Sequence, residues 1–149
     1  MIGLLQRVSQ ASVMVAGETL GRIDTGLAVL VGVQRGDGAR ERDRLLERVL
    51  GYRVFPDADG RMNRSVQAVG GGLLLVPQFT LAADTRKGTR AGFGPAAAPE
   101  EGRYWFESLV EAARAAHAPV ATGRFGAHMQ VWLINDGPVT FWLETSPSR

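Results

Sequence analysis

The chain contains no cysteine. That absence excludes a disulfide framework, a thiolate nucleophile and every cysteine-ligated zinc site. Histidine is almost as scarce: His117 and His128 are the only two, too few for a histidine-rich metal centre. No tight cluster of Asp and Glu offers a magnesium site, so the sequence predicts a protein without metal or cofactor. Lysine occurs once, at Lys87, and the other basic residues are all arginine. With 17 basic against 15 acidic side chains the net charge is only +2, which alone gives no reason to expect a nucleic-acid partner. Long apolar runs are missing as well. Nothing approaches the roughly 20 residues of a membrane helix, and MIGLLQRVSQ lacks the layout of a signal peptide. The expectation is a soluble cytoplasmic protein with no membrane partner.

What is present reads as one domain spanning 1–149, long enough to bury a core without covalent staples. MIGLLQRV and ASVMVAG alternate like antiparallel strands, with a turn at Ala16-Gly17-Glu18. GLAVLVGV, from Gly26 to Val33, is a β-branched run with a buried interior. The period then changes: ARERDRLLERVLGYRVF sets Leu45, Leu46, Val49 and Tyr52 on one face of an amphipathic helix. Asp57-Ala58-Asp59-Gly60 is turn chemistry; the remaining ligands of a calcium loop, including its late glutamate, are missing. GGLLLVPQFTL predicts a buried strand. The polar stretch from Ala82 to Ala98 is long enough to suggest a functional loop. Pro99-Glu100-Glu101 opens a second helix, with Trp105, Leu109, Ala112 and Ala116 along one face. HMQVWLI and VTFWLE follow as two strands around Gly137-Pro138. The order β-β-β-α-β-α-β-β predicts an α+β fold: a mainly antiparallel sheet or partly closed β-barrel with two packed helices.

Three places offer chemistry. Gln78 and Thr80 end a buried strand just before the long loop, where reacting groups are often carried. A threonine nucleophile needs a base within hydrogen-bond reach, and only Lys87 lies nearby in sequence. The plain alternative is that both side chains satisfy backbone groups. Gly137-Pro138 is the second place. Asn-Asp-Gly alone would make a hairpin, so the added proline is either part of a turn or, if cis, a wedge presenting two carbonyl oxygens. Arg7 is the third, a surface charge or a guanidinium fork able to clamp carbonyls. Arg86, Lys87 and Arg90 belong either to a solvated loop or to a phosphate grip. Trp105, Trp132, Phe141 and Trp142 read as core or interface.

The stretches QRV, RVLGYRVFPDADGRMN, PQFTLAADTRKG and TGRFGAHMQVWLINDGPVTFWLE resemble the D-aminoacyl-tRNA deacylases, from Met1 to about Leu143. The resemblance implies a small cytoplasmic homodimer whose partner is aminoacyl-tRNA. Such an enzyme hydrolyses the ester joining a D-amino acid to the tRNA 3′ end, or glycine mischarged on tRNA(Ala). It further implies that Gly137 and Pro138, joined by a cis bond, reach into the partner's pocket as a chiral filter. Val139 and Thr140 complete that motif, and Arg7 orients the Gly-Pro carbonyls. Gln78, Phe79 and Thr80 would line the pocket beneath the ester, and Met129 would pack near the terminal adenosine. Backbone N–H groups of Phe79 and Thr80 would stabilise the oxyanion, with the RNA's 2′-hydroxyl assisting; a Thr80 nucleophile is the alternative. A main-chain filter rejects an L side chain by clash but has no purchase on glycine. One departure stands out: Pro77 occupies a position where the family usually has serine, removing a hydroxyl and an N–H. A branch of the superfamily with relaxed handedness also tends toward proline there, whereas Phe79, GPVT and Arg7 match the D-selective branch. Two other readings remain: a non-catalytic β-rich RNA-binding module, and a structural dimer whose Gly-Pro is only a turn.

Overall fold

The computed structural model describes residues 1–146, so the last three residues of the expected 1–149 domain lie outside the described part. Its strands are β1 (Ile2–Val15), β2 (Glu18–Ile23), β3 (Gly26–Gly32), β4 (Phe55–Pro56), β5 (Met62–Arg64), β6 (Gly72–Pro77), β7 (Val120–Thr122) and β8 (Gln130–Glu144). Its helices are α1 (Ala39–Gly51), the single turn α2 (Val66–Val69) and α3 (Pro99–Ala116), with a 3-10 turn at Phe79–Ala82.

The sheet is organised around β1. Ala16 and Gly17 turn the chain with φ of 49° and 81°, the paired positive φ of a tight hairpin turn. From there β2 and β3 follow β1 back in almost constant register, Val15↔Glu18 to Ala11↔Ile23 and then Val8↔Gly26 to Ile2↔Gly32. Along its other edge β1 pairs with β8, from Ile2↔Glu144 to Met14↔Gln130. Beyond β3 the pairing becomes parallel, β3 to β6 and β6 to β7. Parallel neighbours need long crossovers, and the segments containing α1 and α3 supply them. The sheet is therefore mixed, antiparallel about β1 and parallel beyond β3. Gly21 of β2 lies so close to β7 that a Cβ there would sit 3.1 Å from the Ala121 Cβ, which nearly closes the sheet into a barrel.

Two cores result. Val8, Ala11, Val13, Ile23, Ala28, Leu74 and Val76 fill the barrel, while Leu5, Leu27, Leu45, Leu73, Leu75 and Leu109 pack between sheet and helices. Burial on both faces explains why β3 and β6 read as unbroken apolar runs. The first helix ends at Gly51, short of the expected GYRVF, and Tyr52 follows in extended backbone with its ring 5.5 Å from Phe141. On α3 the buried stripe is Phe106, Leu109, Val110 and Ala113, one residue on from the expected Trp105–Ala116 face. Trp105 sits at the margin beneath Arg42, whose guanidinium carbon is 5.8 Å from the ring centroid.

At one end of the barrel the Met1 amine is fully buried against the Asp37 carboxylate at 2.8 Å and also donates to Gln34 and to the Thr145 carbonyl. Burial pushes the Asp37 carboxyl up, against the pull of that amine. Among the described residues no helix is long and apolar enough to cross a membrane.

Candidate active site

β6 leads directly to the predicted chemistry. The Gln78 N–H donates to the Val31 carbonyl at 2.7 Å, extending the β3–β6 pairing by one residue. The chain then tightens into the 3-10 turn, with Leu81 N–H bonded to Gln78 O and Ala83 N–H to Thr80 O. The N–H groups of Phe79 and Thr80 head this turn, where backbone donors have no partner inside it. Gln78 and Phe79 border a cleft of about 440 Å³ together with Pro77, Phe106, Phe125 and Met129. The cleft has the size and apolar lining typical of small-ligand sites. Met129 is packed tightly against Gly123, where a Cβ would meet its sulfur at 2.7 Å.

Thr80 is placed differently from its neighbours. Its hydroxyl accepts a hydrogen bond from the Gln78 side-chain amide. It lines a second depression on the other side of the turn, with Gln34, Trp142 and Glu144. An amide donor is not a base, so nothing at Thr80 is set to remove its proton. Of the two histidines, His117 is occupied at the Gly71 carbonyl, 2.7 Å away, and His128 lines the cleft. Sequence reasoning gave neither His128 nor Phe125 a role. Among the described residues no group of three or more His, Asp or Glu is placed to hold a metal ion.

The Gly-Pro segment is not a hairpin turn. Gln130 to Ile134 of HMQVWLI and the whole of VTFWLE lie in one strand, β8, and both arms pair with β1; His128 and Met129 precede it. Gln6 pairs with Thr140 and Val8 with Asn135, so residues 136–139 bulge out opposite Arg7. Gly137 and Pro138 are exposed on this bulge, and the bond between them is cis. Gly137 has φ 138°, which L side chains rarely adopt. Arg7 donates from Nε to the Asp136 carbonyl at 3.1 Å and from Nη1 to the Val54 carbonyl at 2.7 Å. Its clamp thus falls on the carbonyl just before Gly137 rather than on the Gly-Pro carbonyls themselves.

Asn135, which sequence reasoning passed over, holds the bulge from beneath. Its amide donates to the carbonyls of Arg7 (2.9 Å) and Val139 (3.0 Å), and its oxygen accepts from the Thr140 hydroxyl at 3.1 Å. Gln6 reaches the same hydroxyl at 3.4 Å. The only sequence signal for this network was the place of Asn135 at the head of NDGPVT.

These two assemblies stand apart. Arg7 pairs with Leu27 in β3, whereas Gln78 bonds Val31. The four residue steps from Leu27 to Val31 span about 13 Å, at about 3.3 Å per residue.

An apolar cleft beside one end of β3 and a built main-chain bulge beside the other are the two candidate functional parts of this barrel. The sequence profile of the D-Tyr-tRNA(Tyr) deacylase family matches residues 4–144, and the chain belongs to that family. A D-aminoacyl-tRNA deacylase of Thioalkalivibrio sulfidiphilus (strain HL-EbGR7) is 65% identical over 149 residues, covering 100% of both chains. One of Methylococcus capsulatus (strain ATCC 33009 / NCIMB 11132 / Bath) is 61% identical, over 100% of this chain and 97% of the relative. Among solved structures, a c-Myc DNA unwinding element binding protein superposes with TM-score 0.94 at 37% identity, covering 98% of this chain and 99% of the other. A probable eukaryotic D-amino acid tRNA deacylase shares the fold with TM-score 0.75 at 18% identity, covering 97% and 98%.

Proposed function

We propose that this protein is a cytoplasmic tRNA-editing esterase. It hydrolyses D-aminoacyl-tRNA, and glycine mischarged on tRNA(Ala), while rejecting L-aminoacyl-tRNA. One observation carries the mechanism: the cleft beside Gln78 and the Gly137-Pro138 bulge lie at opposite ends of β3. A site that uses both must draw them from two copies. The working unit is then a homodimer of single 1–149 deacylase domains, each lending its bulge to the other's cleft. The face of β8 supports this reading, because Trp132, Ile134 and Trp142 are 52%, 47% and 51% exposed on it, an apolar surface of the kind that marks interfaces.

At the cleft, Gln78, Phe79 and the backbone N–H of Thr80 face the ester, Met129 packs beside the terminal adenosine, and Val139 and Thr140 support the filter. Water adds to the ester carbonyl carbon, and the N–H groups of Phe79 and Thr80 stabilise the oxyanion, each such donor being worth about 2.7–4 kcal/mol where measured. The intermediate collapses, and the ribose oxygen leaves with a proton, giving free amino acid and tRNA. The terminal 2′-hydroxyl, rather than Thr80, assists the proton transfers, since Thr80 is paired with an amide. A D side chain points away from the Gly-Pro carbonyls, an L side chain meets them, and glycine passes.

The test is release of amino acid from D-tyrosyl-, L-tyrosyl- and glycyl-tRNA. Rapid loss of the D and glycyl esters with the L ester intact is expected, and Thr80→Ala is expected to retain most of the rate. Equal loss of D and L esters would mean that no filter operates and would turn attention to Pro77. A collapse of kcat in Thr80→Ala would restore the nucleophile.

A further inference from the structure

The loop from Asp84 to Gly92 is built rather than loose. Asp84 N–H bonds Gly92 O at 2.7 Å and Gly92 N–H bonds Asp84 O at 2.9 Å, closing its neck. Gly88, with φ 65°, makes its tip. The outgoing arm is tied to the end of β3: Arg35 donates from its backbone N–H to Pro95 O at 2.8 Å and from Nε to Gly94 O at 3.0 Å. Phe93, the residue that follows the neck, packs its ring 5.3 Å from that of Phe79, which borders the cleft, while Asp84, Thr85 and Arg86 line the neighbouring depression that holds Thr80.

The charges on the loop are not equivalent. Arg86 is committed to Asp84 through two contacts, Nη2 at 2.7 Å and Nε at 2.9 Å. Lys87 and Arg90 are exposed and make no hydrogen bond or ion pair among the described residues. Two unpaired cations are thus held on a pinned loop that is joined through Phe93 to Phe79 at the border of the cleft.

We propose that this loop docks the tRNA acceptor end, Lys87 and Arg90 gripping backbone phosphates of the nucleotides that precede the terminal adenosine. This rests on the deacylase reading of the cleft and adds the surface that holds the remainder of the substrate. Phosphate is the chemistry these groups fit: arginine offers a planar fork and lysine a mobile point charge. Asp84 removes the one carboxylate within the loop from competition by holding Arg86. A phosphate contact of this kind carries no base identity.

The experiment compares D-tyrosyl-tRNA with D-tyrosyl-adenosine, which has the ester and the terminal nucleoside but no phosphate. In Lys87→Ala/Arg90→Ala the ratio of kcat/KM for the tRNA ester to that for the adenosine ester is expected to fall about tenfold, the scale of two exposed charge contacts. The slope of log(kcat/KM) against log salt for the tRNA ester becomes shallower by about 1.4, at about 0.7 per phosphate contact. The charge-conserving pair Lys87→Arg/Arg90→Lys keeps the ratio. An unchanged ratio and slope, or equal losses on both substrates, would overturn the proposal. If the wild-type protein cleaves neither ester, the deacylase reading fails instead. Salt titration of uncharged tRNA binding, wild type against the double alanine variant, then decides the loop on its own: equal slopes sink it.

Discussion

Asn135 and Gly137 carry the most specific demands in the candidate site. Asn135 makes three hydrogen bonds beneath the bulge. Asn135→Ala leaves the carbonyls of Arg7 and Val139 without that donor, at about 1–3 kcal/mol for an unsatisfied partly buried group. A purely structural residue would lower the melting temperature alone. A residue that positions the filter also lowers the D-over-L ratio of kcat/KM in the folded enzyme, and that is the expected outcome. At Gly137 a Cβ would lie 2.7 Å from the Val139 Cγ2 and 3.3 Å from Arg7 Nη2. Gly137→Ala should therefore shift the bulge and lose discrimination before it loses the fold; an unaltered D-over-L ratio would count against the filter. Sequence alone brought Arg7, Gln78 and the Gly-Pro pair into view, because their types limit what they can do. It could not reveal Asn135, whose role depends on a partner 128 positions away, nor the facing of Thr80, which one 3-10 turn decides.

At the scale of elements, local periodicity was readable and long-range pairing was not. The β1–β2 hairpin, β6 and the two long helices follow from alternation, turn residues and the apolar stripe. The parallel half of the sheet does not, since buried parallel strands show only an apolar run. The bulge was hidden for a related reason: two arms flanking Gly-Pro look like a hairpin until both are seen against β1. The 84–92 loop was legible as long and basic, but its pinned neck was not. That neck makes its own prediction. Asp84 is held at about 2, well below its ordinary 3.8, chiefly by the side-chain hydrogen bond from Arg86, then by the Arg86 backbone N–H. A depressed carboxyl contributes its pairing above the ordinary value and loses it as pH falls from about 3.8 through about 2. Carboxyl NMR should find the Asp84 midpoint near 2, and Arg86→Ala should move it back toward 3.8. A wild-type midpoint near 3.8 would mean that the pair does not persist in solution and that Arg86 is as free as Lys87.

For the whole molecule, the decisive issue is whether the cleft and the bulge of one chain ever meet. The barrel holds them at opposite ends of β3, with a packed core on each face of the sheet. Mixing two variants separates the possibilities. A Gln78→Ala chain is expected to lack activity while keeping an intact bulge, and a Gly137→Ala chain to keep activity while discriminating poorly. In a mixed dimer with shared sites, the one working cleft belongs to the Gly137→Ala chain and receives the intact bulge of its partner. Adding excess Gln78→Ala chain should then raise the D-over-L ratio toward wild type as mixed dimers replace homodimers. If each chain filters for itself, the working cleft always sees its own altered bulge and the ratio stays low at every mixing proportion. Subunit exchange, followed by mass spectrometry of the intact dimers, supplies the fraction against which the ratio is plotted. A flat line at full exchange would remove the cross-subunit site, whereas a rise that tracks the mixed dimer would assign each filter to the neighbouring chain.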